Sequence, residues 1–155
     1  MPDPVVRVVP LEATRALRQA VLRPHETLEQ MASRESPAGY AVGAFDGEEL
    51  LAVGFVLPDG EPGAWRVRGM ATVPAARGRG LGRAVLAELV RHAVASGASR
   101  VWCNARTPAR SVYARAGFRV ASDEFELPEI GPHVVMELRT PTSPPVAPRR
   151  SYPTP

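Results

Sequence analysis

The sequence predicts an α/β domain, a mostly antiparallel mixed sheet flanked by helices, and three observations carry that expectation. The chain has 155 residues, of which 45% are apolar and 23% charged, enough for one globular unit with a real core. Three strand-like apolar runs over 40–45, 50–57 and 65–72 follow one another across short turns, as a meander does. The last of them feeds a glycine-rich stretch that opens a long amphipathic helix, and another strand follows that helix.

Taken in order, Val5-Val6-Arg7-Val8-Val9 is a β-branched run ended by Pro10, hence a strand. Residues 11–22 place Ala13, Leu17, Ala20 and Val21 at helical spacing, and Pro24 stops the helix. Residues 25–32 predict a short helix with Leu28 and Met31 inward; His25, Glu26 and Glu29 on it are either solvated surface or a wall of a substrate site. Ser36-Pro37-Ala38-Gly39 is a loop. The strands over 40–45 and 50–57 meet around Asp46-Gly47, a strong hairpin signal. Residues 58–63 turn the chain again. Along 65–72, alternation sends Trp65, Val67 and Gly69 to one face and Arg66 and Arg68 to the other.

The helix from Gly80 carries Leu81, Val85, Leu86, Leu89, Val90, Ala93 and Val94 in one stripe and closes at Ser96-Gly97. Residues 99–105 are the next strand, and 107–116 a short helix entered through Pro108 and stopped by Gly117. Residues 118–121 and 125–127 form a strand or an interrupted pair of strands, 128–132 a loop, and 133–138 the last strand. The domain thus spans 1–140. Residues 141–155 are rich in proline and nearly free of large apolar side chains, so they are expected to be a disordered tail.

Chemistry concentrates between the third meander strand and the long helix, in Pro74-Ala75-Ala76-Arg77-Gly78-Arg79-Gly80-Leu81-Gly82-Arg83. Glycines at alternate positions bare the backbone, which can then take φ > 0 and approach a ligand closely. The helix entrance adds unpaired N–H groups and the positive end of a dipole. Arg77, Arg79 and Arg83 add charge and forked donors. Together these describe a phosphate site. A Walker loop is excluded because the chain has no lysine. The dinucleotide fingerprint is excluded because its last glycine would fall on Arg83 or Val85.

The pattern that fits is R-x-x-G-x-G, from Arg77 to Gly82, and it resembles the acyl-CoA pyrophosphate loop of the GNAT N-acetyltransferase superfamily. A second stretch, running from Asn104 through Tyr113 to Gly117-Phe118, is similar to the other signature of that superfamily: an asparagine closing the fifth strand, then a helix bearing tyrosine. One departure is Val112, where many members carry an aromatic residue; it bears on packing more than on chemistry. The resemblance covers roughly 5–139 of the chain.

The resemblance implies a fold and a site. The sheet would have about six or seven strands, splayed between the fourth and fifth, with about four flanking helices. Acetyl-CoA would be the cosubstrate. Its pantetheine arm would lie in the splay like an added strand against Met70, Ala71 and Thr72, as main-chain pairing allows. The loop residues Arg77, Gly78, Arg79, Gly80, Leu81, Gly82 and Arg83 would hold the pyrophosphate, and Asn104 would bond the arm. Tyr113 would assist the leaving thiolate: a phenol of pKa about 10 is a weaker acid than a thiol near 8.5, so it donates a hydrogen bond rather than its proton. His133, after Glu129-Ile130-Gly131-Pro132, resembles a form found in some subfamilies near the acceptor. A histidine of ordinary pKa, about 6.5, suits proton uptake near neutrality. Glu124 and Glu126 are weaker candidates for the base, and an exposed strand face explains them equally well.

The implied activity is transfer of an acetyl group to a primary amine, on a small molecule or a protein N-terminus, by direct attack in a ternary complex. The alternative is a non-catalytic acyl-CoA-binding or regulatory domain. Acidic residues in 25–32 and 123–129 lean towards a cationic acceptor.

Composition bounds the rest. Net charge is +3 and the pI near 9.7, but the arginines are scattered, so nucleic acid is not an expected partner. No run approaches the roughly 18 apolar residues of a membrane span, and Met1-Pro2-Asp3-Pro4 does not read as a leader. The single cysteine excludes an internal disulfide and fits the cytoplasm. Alternation turns Cys103 away from Asn104 into the core, so no acyl-cysteine is expected. The histidines are widely spaced and form no metal-ligand pattern. A homodimer stays open.

Overall fold

In the computed structural model, residues 4–128 and 130–140 are described; the expected tail over 141–155 and Glu129 lie outside them. The strands are β1 Val5–Val9, β2 Tyr40–Asp46, β3 Glu49–Pro58, β4 Ala64–Thr72, β5 Arg100–Arg106, β6 Arg119–Val120, β7 Phe125–Leu127 and β8 Gly131–Arg139. The α-helices are α1 Arg15–Leu22, α2 Leu28–Ala32, α3 Leu81–Ala95 and α4 Arg110–Arg115. The first and last helical stretches each begin with a 3-10 turn, Leu11–Thr14 and Thr107–Ala109. Helix α2 starts later than expected, because Thr27 and Gln30 close a capping box that leaves His25 and Glu26 in the preceding turn. Among the described residues no helix is long and apolar enough to cross a membrane.

One eight-stranded sheet runs β1-β2-β3-β4-β5-β8-β6, with β7 also on β8. All neighbours are antiparallel except β4 and β5. That parallel pair is registered only at Ala64–Arg100, Trp65–Val101 and Arg66–Trp102. Beyond those residues β4 runs on to Thr72 and β5 to Arg106 without pairing to each other, so the sheet opens as a wedge. The splay between the fourth and fifth strands is therefore present.

Helix α3 covers one face. Leu81, Val85, Leu86, Leu89 and Ala93 are buried against Val42, Ala52, Val56, Val67 and Val101. Val94, expected in the stripe, is 44% exposed, because it sits past the edge of the helix face that meets the sheet.

Helices α1 and α2 lie on the other face. A Cβ on Gly54 would meet Leu89 and Val85 of α3, whereas its neighbour Phe55 stacks under Arg18 of α1. The buried members of this segment are Thr14 and Arg18, while Ala13 and Ala20 are exposed. The expected apolar stripe is thus displaced, because an ion-paired arginine outbids two alanines for the inward positions. Arg18 bonds Thr14 Oγ1 at 2.9 Å and forms a close ion pair with Glu35, which also holds Arg15 at 2.7 Å.

Removing Glu35 leaves Arg18 charged and buried, so Glu35→Ala is expected to cost about 3 kcal/mol in chemical denaturation. Burial pushes the Glu35 carboxyl up, but its bonds from Arg15 and Arg18 outweigh that and hold it below the usual carboxylate range. The native value lies below the unfolded one. The pair therefore contributes fully above about pH 4.3 and is lost as pH falls through the lowered native value. Glu35→Gln should flatten that part of the stability profile; an unchanged acid limb would contradict it.

Candidate active site

The glycine stretch folds as its residues dictate. After a 3-10 turn at Pro74–Ala76 the chain extends through Arg77. Gly78 and Gly80 then take φ of 84° and 78°, and Gly80 is the N-cap of α3 with no side-chain cap bond. A Cβ on either glycine would meet nothing within 4 Å, so backbone conformation, not crowding, requires glycine here. Gly82 already lies in the first turn of α3, beside the Thr72 hydroxyl at the end of β4. The first N–H groups of α3 therefore face out over a bare, open backbone. Arg77, Arg79 and Arg83 are exposed around it. Arg79 reaches Asp46 at 3.6 Å, while Arg77 and Arg83 have no carboxylate partner among the described residues. Bare backbone, aligned N–H groups and unpaired guanidinium forks fit a pyrophosphate.

The entrance leads along β4 into the wedge. Opposite Gly54 the strand bulges, since Phe55 pairs with Arg68 and Val53 with Ala71. Gly69 takes φ of 66°, and a Cβ there would strike Phe55 and Arg18. Gly69 thus turns to the face of Arg68, not to that of Trp65 and Val67 as strict alternation required; the extra residue of the bulge breaks the period. Met70 turns to the α3 side, where its sulfur lies 2.5 Å from the place a Gly54 Cβ would occupy. Met70, Ala71 and Thr72 form the β4 rim of the wedge.

The remaining candidates lie on opposite faces of the sheet. Cys103 is buried on the α3 and α4 side, as expected, and burial pushes its thiol up to about 12. Such a thiol stays protonated and is a poor nucleophile. Tyr113 is also buried on that side, edge-on to Phe118 at 5.6 Å and beside Cys103. Burial, then Cys103, raises the phenol well above its ordinary value. Asn104, Arg106 and His133 occupy the α1 side, with His133 directly across from Arg106. The Asn104 side chain is part-exposed and has no protein partner among the described residues. His133 is buried and stacks on Phe125 at 6.0 Å. Its Nδ1 lies 2.8 Å from the Gly131 carbonyl. A carbonyl only accepts, so Nδ1 carries the proton and Nε2 is left as the acceptor. Glu124 and Glu126 are exposed; Glu124 accepts a hydrogen bond from the Thr107 hydroxyl at 3.5 Å.

A cavity lined by arginines opens beside the bulge, and sequence reading missed it. Arg18, Arg23, Arg34 and Arg68 line it together with Phe55 and Gly69. The alternation of Arg66 and Arg68 was the one signal available. Nothing local announces that α1 delivers Arg18 and Arg23 to the same place.

Comparison with known proteins agrees with this geometry. Residues 11–118 match the Acetyltransferase (GNAT) family. An uncharacterised N-acetyltransferase of Bacillus subtilis (strain 168), YitI, is 33% identical over 144 residues, 87% of this chain and 97% of that protein. The IAA acetyltransferase of Bacillus cereus ATCC 14579 has a similar fold, with a TM-score of 0.72 at 19% identity over 88% of this chain and 99% of that one. A Bacillus subtilis acetyltransferase in complex with CoA gives 0.69 at 15% identity, over 88% and 99%. A glycine-lined helix entrance, a sheet opened between β4 and β5 and a match over most of its length place this chain in the GNAT acetyltransferase family, as an N-acetyltransferase.

Proposed function

We propose that this chain moves an acetyl group from acetyl-CoA to a primary amine, on a small molecule or a protein N-terminus, by direct attack in a ternary complex. The observation that carries the reading is the wedge: β4 backbone left unpaired on its β5 side leads from the Gly69–Met70 bulge straight to the uncapped entrance of α3. Bound acetyl-CoA supplies an activated acyl group and a thiolate leaving group.

In this reading the N–H groups of Gly80, Leu81, Gly82 and Arg83, with Arg77 and Arg79, grip the pyrophosphate. Met70, Ala71 and Thr72 pair with the pantetheine arm, and Asn104 offers it an amide. An N–H at the bulge polarises the thioester carbonyl. The amine nitrogen bonds to the carbonyl carbon as the carbon–sulfur bond breaks. His133 Nε2, directly or through water, takes the proton that the amine sheds. Tyr113 keeps its own proton, because burial has raised its pKa, and donates a hydrogen bond to the departing sulfur.

Acetyl-CoA at about 100 times its dissociation constant is expected to stabilise the fold by about 2.7 kcal/mol, read as a raised melting temperature. Incubation with a panel of primary amines should then release free CoA thiol in step with acetylated amine. Stabilisation without thiol release from any amine would leave a binding domain instead.

A further inference from the structure

The acceptor side of the wedge is basic, against the lean of the acidic residues in 25–32 and 123–129. The cavity beside the bulge holds about 80 Å³, the share of two or three waters, so it takes a headgroup and not a whole substrate. Its lining includes Arg18, Arg23, Arg34 and Arg68, with Glu35 as the only carboxylate among the described residues.

The countercharges are already committed. Glu35 serves Arg18 and Arg15, and Glu26 serves Arg34 at 2.6 Å. Arg68 has no hydrogen-bond acceptor and no ion pair among the described residues; it only lies over the Phe55 ring, 5.9 Å away. Arg23 likewise has no bonded side-chain partner among them; Glu26 lies within its field, as do the guanidiniums of Arg68 and Arg106. Arg106, whose nearest bond is to the Leu22 carbonyl at 3.1 Å, adds a further cation beside Arg23. Burial and then the like charges of Arg66, Arg23 and Arg18 depress the proton affinity of Arg68, with only Asp59 opposing them. An arginine stays charged all the same. Packing like guanidiniums together, part-desolvated and without an anion, is costly and invites one.

Resting on the transferase reading of the wedge, we propose that the acceptor is an amine that also bears an anion, a carboxylate as in an amino acid, and that Arg68, flanked by Arg23 and Arg18, binds that anion beside the β4 bulge. The fork of a guanidinium matches a carboxylate or a phosphate with paired N–H donors. Gly69 lines the cavity and adjoins Met70, the start of the wedge rim. An anion held there leaves an amine a few bonds away facing the thioester. Polyamines and aminoglycosides, which bring only positive charge, meet repulsion at the same place.

The test compares L-amino acids with their α-amides, phosphoethanolamine and spermidine, by thiol release with acetyl-CoA. Carboxylated amines should exceed their amides by about tenfold or more in kcat/KM. Arg68→Gln should erase that ratio through KM, with acetyl-CoA affinity unchanged, and Arg68→Lys should restore part of it. Preference for phosphoethanolamine supports the anion with phosphate as its source. Equal or faster turnover of amides or spermidine overturns the proposal and leaves the transferase reading standing. If no amine releases thiol, the transferase reading fails on its own. The anion site is then decided by thermal shift with N-acetylglycine against N-acetylglycinamide: stabilisation by the acid alone, lost in Arg68→Gln, supports it, and no difference overturns it.

Discussion

Gly80→Val is expected to abolish detectable CoA binding while the protein still melts cooperatively. Gly80 holds φ of 78° as the N-cap of α3, a conformation that costs an L-residue roughly 1–2 kcal/mol and a β-branched one more. The substitution meets no atoms, since a Cβ at this point has nothing within 4 Å, so the penalty is confined to the turn. A valine that relaxes out of this region rotates the first N–H groups of α3 away from their common focus. One that stays fills the surface proposed for the pyrophosphate. Several charge-assisted bonds are weakened together, and each contributes roughly 1.5–3 kcal/mol. A loss of about two orders of magnitude or more in affinity is expected, by calorimetric titration with CoA. Wild-type affinity in a folded Gly80→Val would remove the loop from the cofactor site.

Tyr113→Phe should lower kcat about a hundredfold while the affinity for acetyl-CoA changes by much less. The phenol is buried beside Cys103, at the junction of α4 and β5. Its raised pKa means that the proton remains on oxygen, so the contribution proposed for it is one strong bond to a developing thiolate. That bond exists only as sulfur leaves, which places the effect on kcat rather than on binding. Phenylalanine keeps the ring against Phe118, so folding should survive with a modest loss. Equal turnover by Tyr113→Phe would return Tyr113 to a packing role.

Several features could be read directly from the residues. Asp46-Gly47, Pro74 and Ser96-Gly97 punctuate the chain locally, and the period of 81–93 identifies its inward side, so the meander, the glycine entrance and α3 were all anticipated. The inward turn of Cys103 followed from strand alternation alone. Local patterns failed where tertiary contacts overrode them. Arg18 took an inward position because Glu35, distant in sequence, neutralises it. The alternation along β4 broke at Gly69 because the bulge opposite Gly54 inserts a residue that pairing, not composition, creates. Separation of Tyr113 and His133 onto opposite faces depended on the registers of β5 and β8.

Local codes thus specified the segments, their punctuation and the glycine-lined entrance, because turns, caps and periodic burial depend on residues a few positions apart. Assembly alone created the opened sheet and the arginine cavity, since Arg18, Arg23 and Arg68 meet only when α1 is laid across β4. Charge scattered along a chain has no address until packing excludes water around it and strips away the carboxylates that would otherwise neutralise it.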